Sequence, residues 1–221
     1  MRTVQYANED ALLERLLAGD EAAFSDLVAV LHGSLIRFAR TFVSDGGAAE
    51  EVVQETWLGV LKGLRSFERR SSLKTWIFRI AMNRARTRGA RDGRVVNFSA
   101  LSQSDEQTSA LPDRFTAEGR WLQPPSRWHA QTPEDLLLRR EAVTGLREAI
   151  ANLPPDQRAV IRLRDMDGVG APEVCDILGI SETNQRVLLH RARRRIRAAL
   201  DSHLHAAAPL PSGVVAWNRH A

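Results

Sequence analysis

Residues Ile180–Leu200 read ISETNQRVLLHRARRRIRAAL, and from Thr183 onward the run holds six arginines and one histidine but no acidic residue. At 3.6 residues per turn, Leu189, Ala192, Ile196 and Ala199 fall on one stripe, and Arg186, His190, Arg193 and Arg197 fall on another. The spacing predicts a helix that buries the first stripe and turns the second outward, with Ser181 as its N-cap. Just upstream, Pro172–Leu178 also has helical spacing, and Gly179 ends it inside the turn Leu178-Gly179-Ile180-Ser181. A short helix, a tight turn and a longer basic helix make a helix-turn-helix, whose second helix enters the major groove of DNA. Bases are read near the start of such a helix and phosphates are held behind it. Ser181, Asn184, Gln185 and Arg186 are the expected readers, and Arg191, Arg194 and Arg195 the expected backbone contacts. A basic face alone would equally suit solvent, RNA or an acidic protein; the preceding helix and turn favour DNA.

Working outward, Glu134–Leu153 has helical periodicity that Pro154 and Pro155 terminate, and Asp156–Met166 forms the next segment. Before these, the stretch from Asp92 to Thr132 is rich in Ser, Gln, Pro and Gly and shows no sustained period, as an interdomain linker would. Further upstream the apolar residues again recur every three or four positions. Leu12, Leu13, Leu16 and Leu17 predict a short helix ended by Gly19. Asp20 then caps a second helix bearing Phe24, Leu27, Val28, Leu31, Leu35, Phe38 and Phe42. A third follows SDGG with Val52, Val53, Trp57, Val60, Leu61 and Leu64, and a fourth starts near Leu73 with Trp76, Ile77, Ile80 and Ala81. No strand signal interrupts them, so the expected fold is all-α: two small helical domains joined by a long flexible linker.

Two N-terminal segments carry chemistry. In the third helix Glu51, Gln54 and Glu55 lie three or four apart and share a face, which suits either solvent or a partner with a basic helical surface. From Lys74 to Arg94 there are seven basic residues and one acidic, with Trp76 and Phe78 interleaved. Basic groups beside aromatics hold single-stranded nucleic acid by phosphate attraction and base stacking. Either aromatic taken singly fits a core position equally well.

The bulk properties limit the alternatives. Formal net charge is +4 and the chain has one cysteine, Cys175, so neither a disulfide framework nor a multi-cysteine zinc site can form. No signal peptide or membrane-spanning run is expected, which points to a cytoplasmic protein without membrane insertion. No nucleophile-base pair, phosphate-cradling glycine loop or metal-ligand cluster appears, so no enzyme activity, cofactor or metal is expected.

Taken together, AEEVVQETWLGVLKGLRSFERRSSLKTWIFRIAMNRAR and LPPDQRAVIRLRDMDGVGAPEVCDILGISETNQRVLLHRARRRIR resemble the extracytoplasmic-function (ECF) sigma factors of the sigma-70 family. The first string is similar to the polymerase-binding and minus-10 segments of region 2, and the second to the minus-35-binding region 4. The resemblance implies a promoter-specificity subunit that binds core RNA polymerase and starts transcription of a particular regulon. It implies a region 2 domain over 1–92, a linker over 93–133, a region 4 helix-turn-helix domain over 134–204 and a flexible tail over 205–221. Glu51, Gln54 and Glu55 then fall where the family docks on the clamp helices of the beta-prime subunit, and region 4 would meet the beta flap. The loop Phe67–Ser72 matches the loop that captures a flipped base. Phe67, Arg69, Ser71, Ser72, Lys74, Trp76, Arg79, Asn83 and Arg84 are thereby assigned to the minus-10 element. Val187 and His190 join the readers and clamps above at the minus-35 element. The linker would thread the polymerase cleft, with Trp121 and Trp128 as anchors, and an anti-sigma factor is the implied regulator.

The chain departs from the family at two places. Where many members carry Lys/Arg-Ser-Arg-Leu in the recognition helix, this chain has Arg186-Val187-Leu188-Leu189, so Val187 or Leu188 is placed to touch a thymine methyl. Arg79 and Ile80 occupy the positions of the tryptophan pair that opens the duplex in housekeeping sigma factors, which implies weaker melting and a stricter promoter. The alternative is a stand-alone helix-turn-helix regulator of duplex DNA, which would leave the acidic helix and the aromatic-basic segment without a role.

Overall fold

In the structure, a computed structural model, residues 9–98 and 143–206 are described, with side chains up to residue 200. Within these residues the regular structure is entirely helical. The linker from 99 onward, its tryptophans, the start of the Glu134 helix and the tail from 207 lie outside them.

Helix α1 (Glu9–Leu17) buries Leu12, Leu13 and Leu16 but leaves Leu17 exposed. Gly19 turns the chain with φ of +81°, a region where side chains are disfavoured. Asp20 then caps α2 (Glu21–Ala39), its carboxylate accepting the Ala23 N–H at 3.0 Å. Asp45 caps α3 (Gly46–Gly63) in the same way through Ala48, at 2.8 Å. The backbone N–H of Ala23 and then Arg15 hold the Asp20 carboxyl below the usual carboxylate range, and Ala48 and Ser44 do so for Asp45. Both caps therefore favour the fold above the unfolded carboxylate pKa, and this contribution is lost as pH falls through their depressed values. Phe42, expected on α2, lies beyond its end, yet it is buried as its spacing implied.

A 3-10 turn (Leu64–Ser66) and an extended loop lead to α4 (Leu73–Arg91), capped by Ser72. Its Leu73, Ile77, Phe78, Ala81, Met82 and Ala85 are buried. Phe78 meets Phe38 edge-on with ring centroids 5.4 Å apart, and Phe38 meets Phe42 at 5.1 Å. These three rings centre the core, and Phe24 against Trp57 extends it along α3. α2 is long and apolar enough to cross a membrane by length and composition alone. Its Leu27, Leu31, Leu35 and Phe38 instead face this core, which is the ordinary reason for such a helix.

The C-terminal helices begin with α5 (residues 143–151) and α6 (Pro155–Ile161), which runs into a π turn, Arg162–Met166. Then come α7 (Ala171–Leu178) and α8 (Glu182–Ala206). Gly179 adopts φ of +67° between α7 and α8, and Gly179 and Ile180 both donate to the Cys175 carbonyl. This is the glycine-closed helix end expected from the sequence. Among the described residues, contacts gather 9–98 and 154–192 into one compact unit and assign 143–153 and 193–206 to a second. The first unit draws on both sequence-defined halves, and within it α7 packs on α4.

Candidate nucleic-acid interface

The recognition helix α8 buries Leu188, Leu189, Ala192 and Ile196, the predicted stripe with Leu188 added. Ser181 accepts the Asn184 N–H at 3.2 Å and so caps it. Arg186 and His190 are exposed, and Arg186 pairs with Glu182 one turn back at 3.1 Å. Arg191, Arg194 and Arg195 are half-buried farther along. One expected reader is corrected: Gln185 is only 2% exposed and its Nε2 is buried without a partner, so it cannot reach a base edge from this position. It lies four residues before Leu189 and seven before Ala192, on the core side of the helix. Asn184 donates through Nδ2 to the Phe98 carbonyl. With Val187 and Arg191 it lines a cavity of about 1200 Å³ whose opposite wall includes Arg86 and Phe98.

On α4, Phe78 is core while Trp76 is half-buried and packs against Phe67 at a 39° tilt with ring centroids 5.0 Å apart. A Cβ on Gly63 would lie 3.1 Å from the Trp76 ring, so glycine lets the indole edge approach α3 closely. Gly59, Gly63, Trp76, Asn83 and Arg84 line a groove of about 350 Å³ that brings an aromatic ring together with polar and basic side chains. Such a surface suits a stacked base and its phosphate. Arg79, Asn83 and Arg84 are exposed along the same helix. In the loop before it, Arg69 has φ of 56°, the one positive value at a non-glycine among the described residues, and it pairs with Asp10 at 3.0 Å. Backbone held in this region is strained and tends to occur where a loop is shaped for a task. Ser71 and Ser72 are half-buried there; Ser72 donates to Glu173, and Lys74 donates to the Asp167 carbonyl.

Glu51, Gln54 and Glu55 are exposed on one face of α3. Arg88 pairs with Glu51 at 2.5 Å, and Arg84 approaches Glu55 at 3.9 Å, so α4 supplies counter-ions to this face. Pairs this exposed contribute ~0–1 kcal/mol each. Leu61, expected on the buried stripe, is 53% exposed and Leu58 is 55% exposed. Both continue the acidic face toward the C-terminal end of α3. The signal for Leu58 was present in its spacing, three residues after Glu55 and seven after Glu51.

Family models for Sigma-70 region 2 and Sigma-70 region 4 match residues 27–95 and 145–196, together more than half of the chain. The chain belongs to the sigma-70 family. It is 28% identical to the RNA polymerase sigma-H factor of Pseudomonas aeruginosa over 90% of this chain and 97% of that one. Identity is also 28% with the ECF RNA polymerase sigma-E factor of Escherichia coli, over 85% and 92%. These relatives and the two matched regions make this an ECF sigma-70 factor. The solved structure of CnrH in complex with the cytosolic domain of CnrY shares the fold, with a TM-score of 0.50, 23% identity, and coverage of 90% of this chain and 97% of that one.

In this sigma factor the contact between the two matched regions joins Ser72 and Lys74, named above for the minus-10 element, to residues that the sequence did not single out. Glu173 of α7 accepts from Ser72 at 2.8 Å, from Thr75 at 2.6 Å and from the Gly170 N–H at 3.1 Å. Burial opposes its charge, but the Thr75 and Ser72 hydroxyls, the Gly170 N–H and Lys74 outweigh it and hold the carboxyl below its usual range. Burial pushes Asp167 up, partly offset by Ser34, Lys74, Arg37 and Arg162. Arg162 donates to the Arg37 carbonyl; burial and then Arg158 and Arg37 bring its guanidinium down to about 10, still charged at neutral pH. Arg86 donates to the Leu178 carbonyl at 2.6 Å and lies over the Phe98 ring. Cys175 is half-buried, and burial, then Glu182 and Asp176, raise its thiol pKa, which disfavours the nucleophilic thiolate.

Proposed function

We propose that this chain is an ECF promoter-specificity subunit that binds core RNA polymerase, recognises minus-35 and minus-10 elements and promotes initiation at a specific regulon. The conjunction of both sigma-70 regions on one chain carries this reading. The acidic and leucine-bearing face of α3 is the polymerase contact. The groove beside Trp76 and the strip through Arg79, Asn83 and Arg84 meet the opened minus-10 strand. Ser181, Asn184, Arg186, Val187, His190 and the arginines behind them meet the minus-35 duplex, while Gln185 supports the helix from inside. The functional divisions are 1–92, 93–133, 134–204 and 205–221. The protein acts in the cytoplasm by binding rather than catalysis. An anti-sigma factor regulates it; the solved relative CnrH is itself bound by a cytosolic domain of CnrY.

Run-off transcription with purified core polymerase over a genomic fragment library tests the activity and returns the promoter. Absence of any transcript above the core-only background would end the proposal. Glu55→Arg should weaken association with core polymerase by roughly tenfold, the ~1.4 kcal/mol of one lost charge contact, with an unchanged urea midpoint. Equal affinity in a pull-down titration would remove α3 as the docking face. At the upstream element, Arg186→Ala should lose ~1–2 kcal/mol of discrimination at a base pair. Arg194→Ala should instead weaken binding evenly across sequences and lower the salt slope by about one. Competition with single-base promoter variants at several salt concentrations separates the two roles, and identical profiles would refute the division.

A further inference from the structure

The contact between α7 and α4 occupies groups that the proposed function needs for DNA. Ser72 and Lys74 belong to the minus-10 assignment, yet Ser72 donates to Glu173 and Lys74 donates to the Asp167 carbonyl. On the other side Asn184, assigned to the minus-35 element, donates to the Phe98 carbonyl in the segment that follows region 2. Region 2 thus uses part of its DNA-facing chemistry to hold region 4, and a reader of region 4 is tied to the segment leaving region 2.

Glu173 is the centre of this contact. Its Oε1 takes both the Ser72 and the Thr75 hydroxyl, while Oε2 takes the Gly170 N–H. Ser72 Oγ also lies 2.8 Å from Thr75 Oγ1, so the two hydroxyls and the carboxylate close one hydrogen-bonded cluster, and hydrogen bonds to a charged acceptor are roughly twice as strong as neutral ones. Thr75 is 1% exposed in this conformation, beneath the region 4 carboxylate. Its role in this conformation is to hold the region 4 carboxylate. Arg86 secures the far end of α7 through the Leu178 carbonyl.

We propose that Glu173 latches an autoinhibited state of the free chain, in which region 4 covers the start of α4 and single-stranded DNA competes with the latch for that surface. The inference rests on the reading of α4 as a minus-10 strand binder. When the binding-competent state is a minor one, apparent affinity falls by its fraction. Releasing the latch should therefore tighten single-strand binding by roughly tenfold or more, as for an open state populated at about a tenth or less.

The test uses the full chain without polymerase and a short fluorescein-labelled single-stranded DNA of mixed sequence, read by anisotropy, with small-angle scattering as a measure of opening. Glu173→Ala and Thr75→Val should both bind about tenfold tighter and show a larger radius of gyration. Thr75→Val changes no charge, so its gain cannot come from relieving repulsion of the phosphates. Glu14→Ala removes one exposed acidic charge elsewhere and calibrates that effect. If both latch variants gain no more than Glu14→Ala, or expand without gaining affinity, the latch is overturned. Run-off transcription by the unmodified chain is measured in parallel. A failed latch with intact transcription leaves the sigma-factor reading standing, whereas absent transcription removes that reading whatever the anisotropy shows.

Discussion

Phe78→Ala is expected to destabilise the protein by ~3–5 kcal/mol, the range for removing a buried aromatic and leaving a cavity. Phe78 is fully buried on α4 and meets Phe38 edge-on, and Phe38 in turn meets Phe42. Losing its ring removes apolar burial and one aromatic contact worth ~0.5–1.5 kcal/mol beyond area. Because Phe38 lies on α2 and Phe78 on α4, the space opens between two helices already fixed by their other contacts and can collapse only partly. Against a typical total stability of about 5–15 kcal/mol, this would leave a marginal domain. Urea titration should show a lower midpoint with an unchanged slope. A loss under ~1 kcal/mol would mean that the three-ring cluster does not centre the core. Leu58→Ala on the same bundle should change stability little, because Leu58 is 55% exposed.

Gly89→Ala should lose ~2–3 kcal/mol although alanine is the better helix former by ~0.8–1 kcal/mol. A Cβ at this position would sit 2.5 Å from the Phe42 carbonyl oxygen and 2.9 Å from that of Arg94. Both neighbours are backbone and cannot rotate away. The Arg94 N–H donates to the Gly89 carbonyl at 2.7 Å, so the chain leaving α4 folds back across this residue. Gly33→Ala supplies the contrast: its Cβ would meet only the end of the Arg37 side chain, at 3.3 Å, which can move. That change should stabilise by ~0.5–1 kcal/mol through helix propensity. Thermal and urea unfolding of the two variants should therefore shift in opposite directions; a gain from Gly89→Ala would contradict the close approach of the Phe42 and Arg94 backbones.

Local chemistry explains which parts of this were readable in advance. Asp20 and Ser72 stand directly before apolar periodic runs, and Gly19 and Gly179 stand at their ends. Each acts where side-chain capping and left-handed backbone place it. Gln185 was misread because its polarity suggested a reader, whereas its register with Leu189 and Ala192 put it inside. Register was the better guide, as burial follows the helix face more strictly than residue type. Leu61 failed for the opposite reason: an apolar side chain was assigned to the core although Val60, one residue earlier, already filled that face. The contact made by Glu173 with Ser72 and Thr75 had no local signal at all. It joins positions about a hundred residues apart through one capping carboxylate, and such pairings come from tertiary packing rather than from any period in the chain.

The ion pairs between α3 and α4 make two neighbouring surfaces share one set of counter-ions. Arg88 and Arg84 neutralise Glu51 and Glu55 while that face is open to solvent, through bonds weak enough to exchange. A basic helix settling on α3 would take over those carboxylates and leave the Arg84 guanidinium without its counter-ion on α4, while Arg88 keeps Asp92 at 3.4 Å. The field beside the strand-binding groove would then become more positive with no helix moving. Occupancy of one face is in this way written into the electrostatic potential of the next.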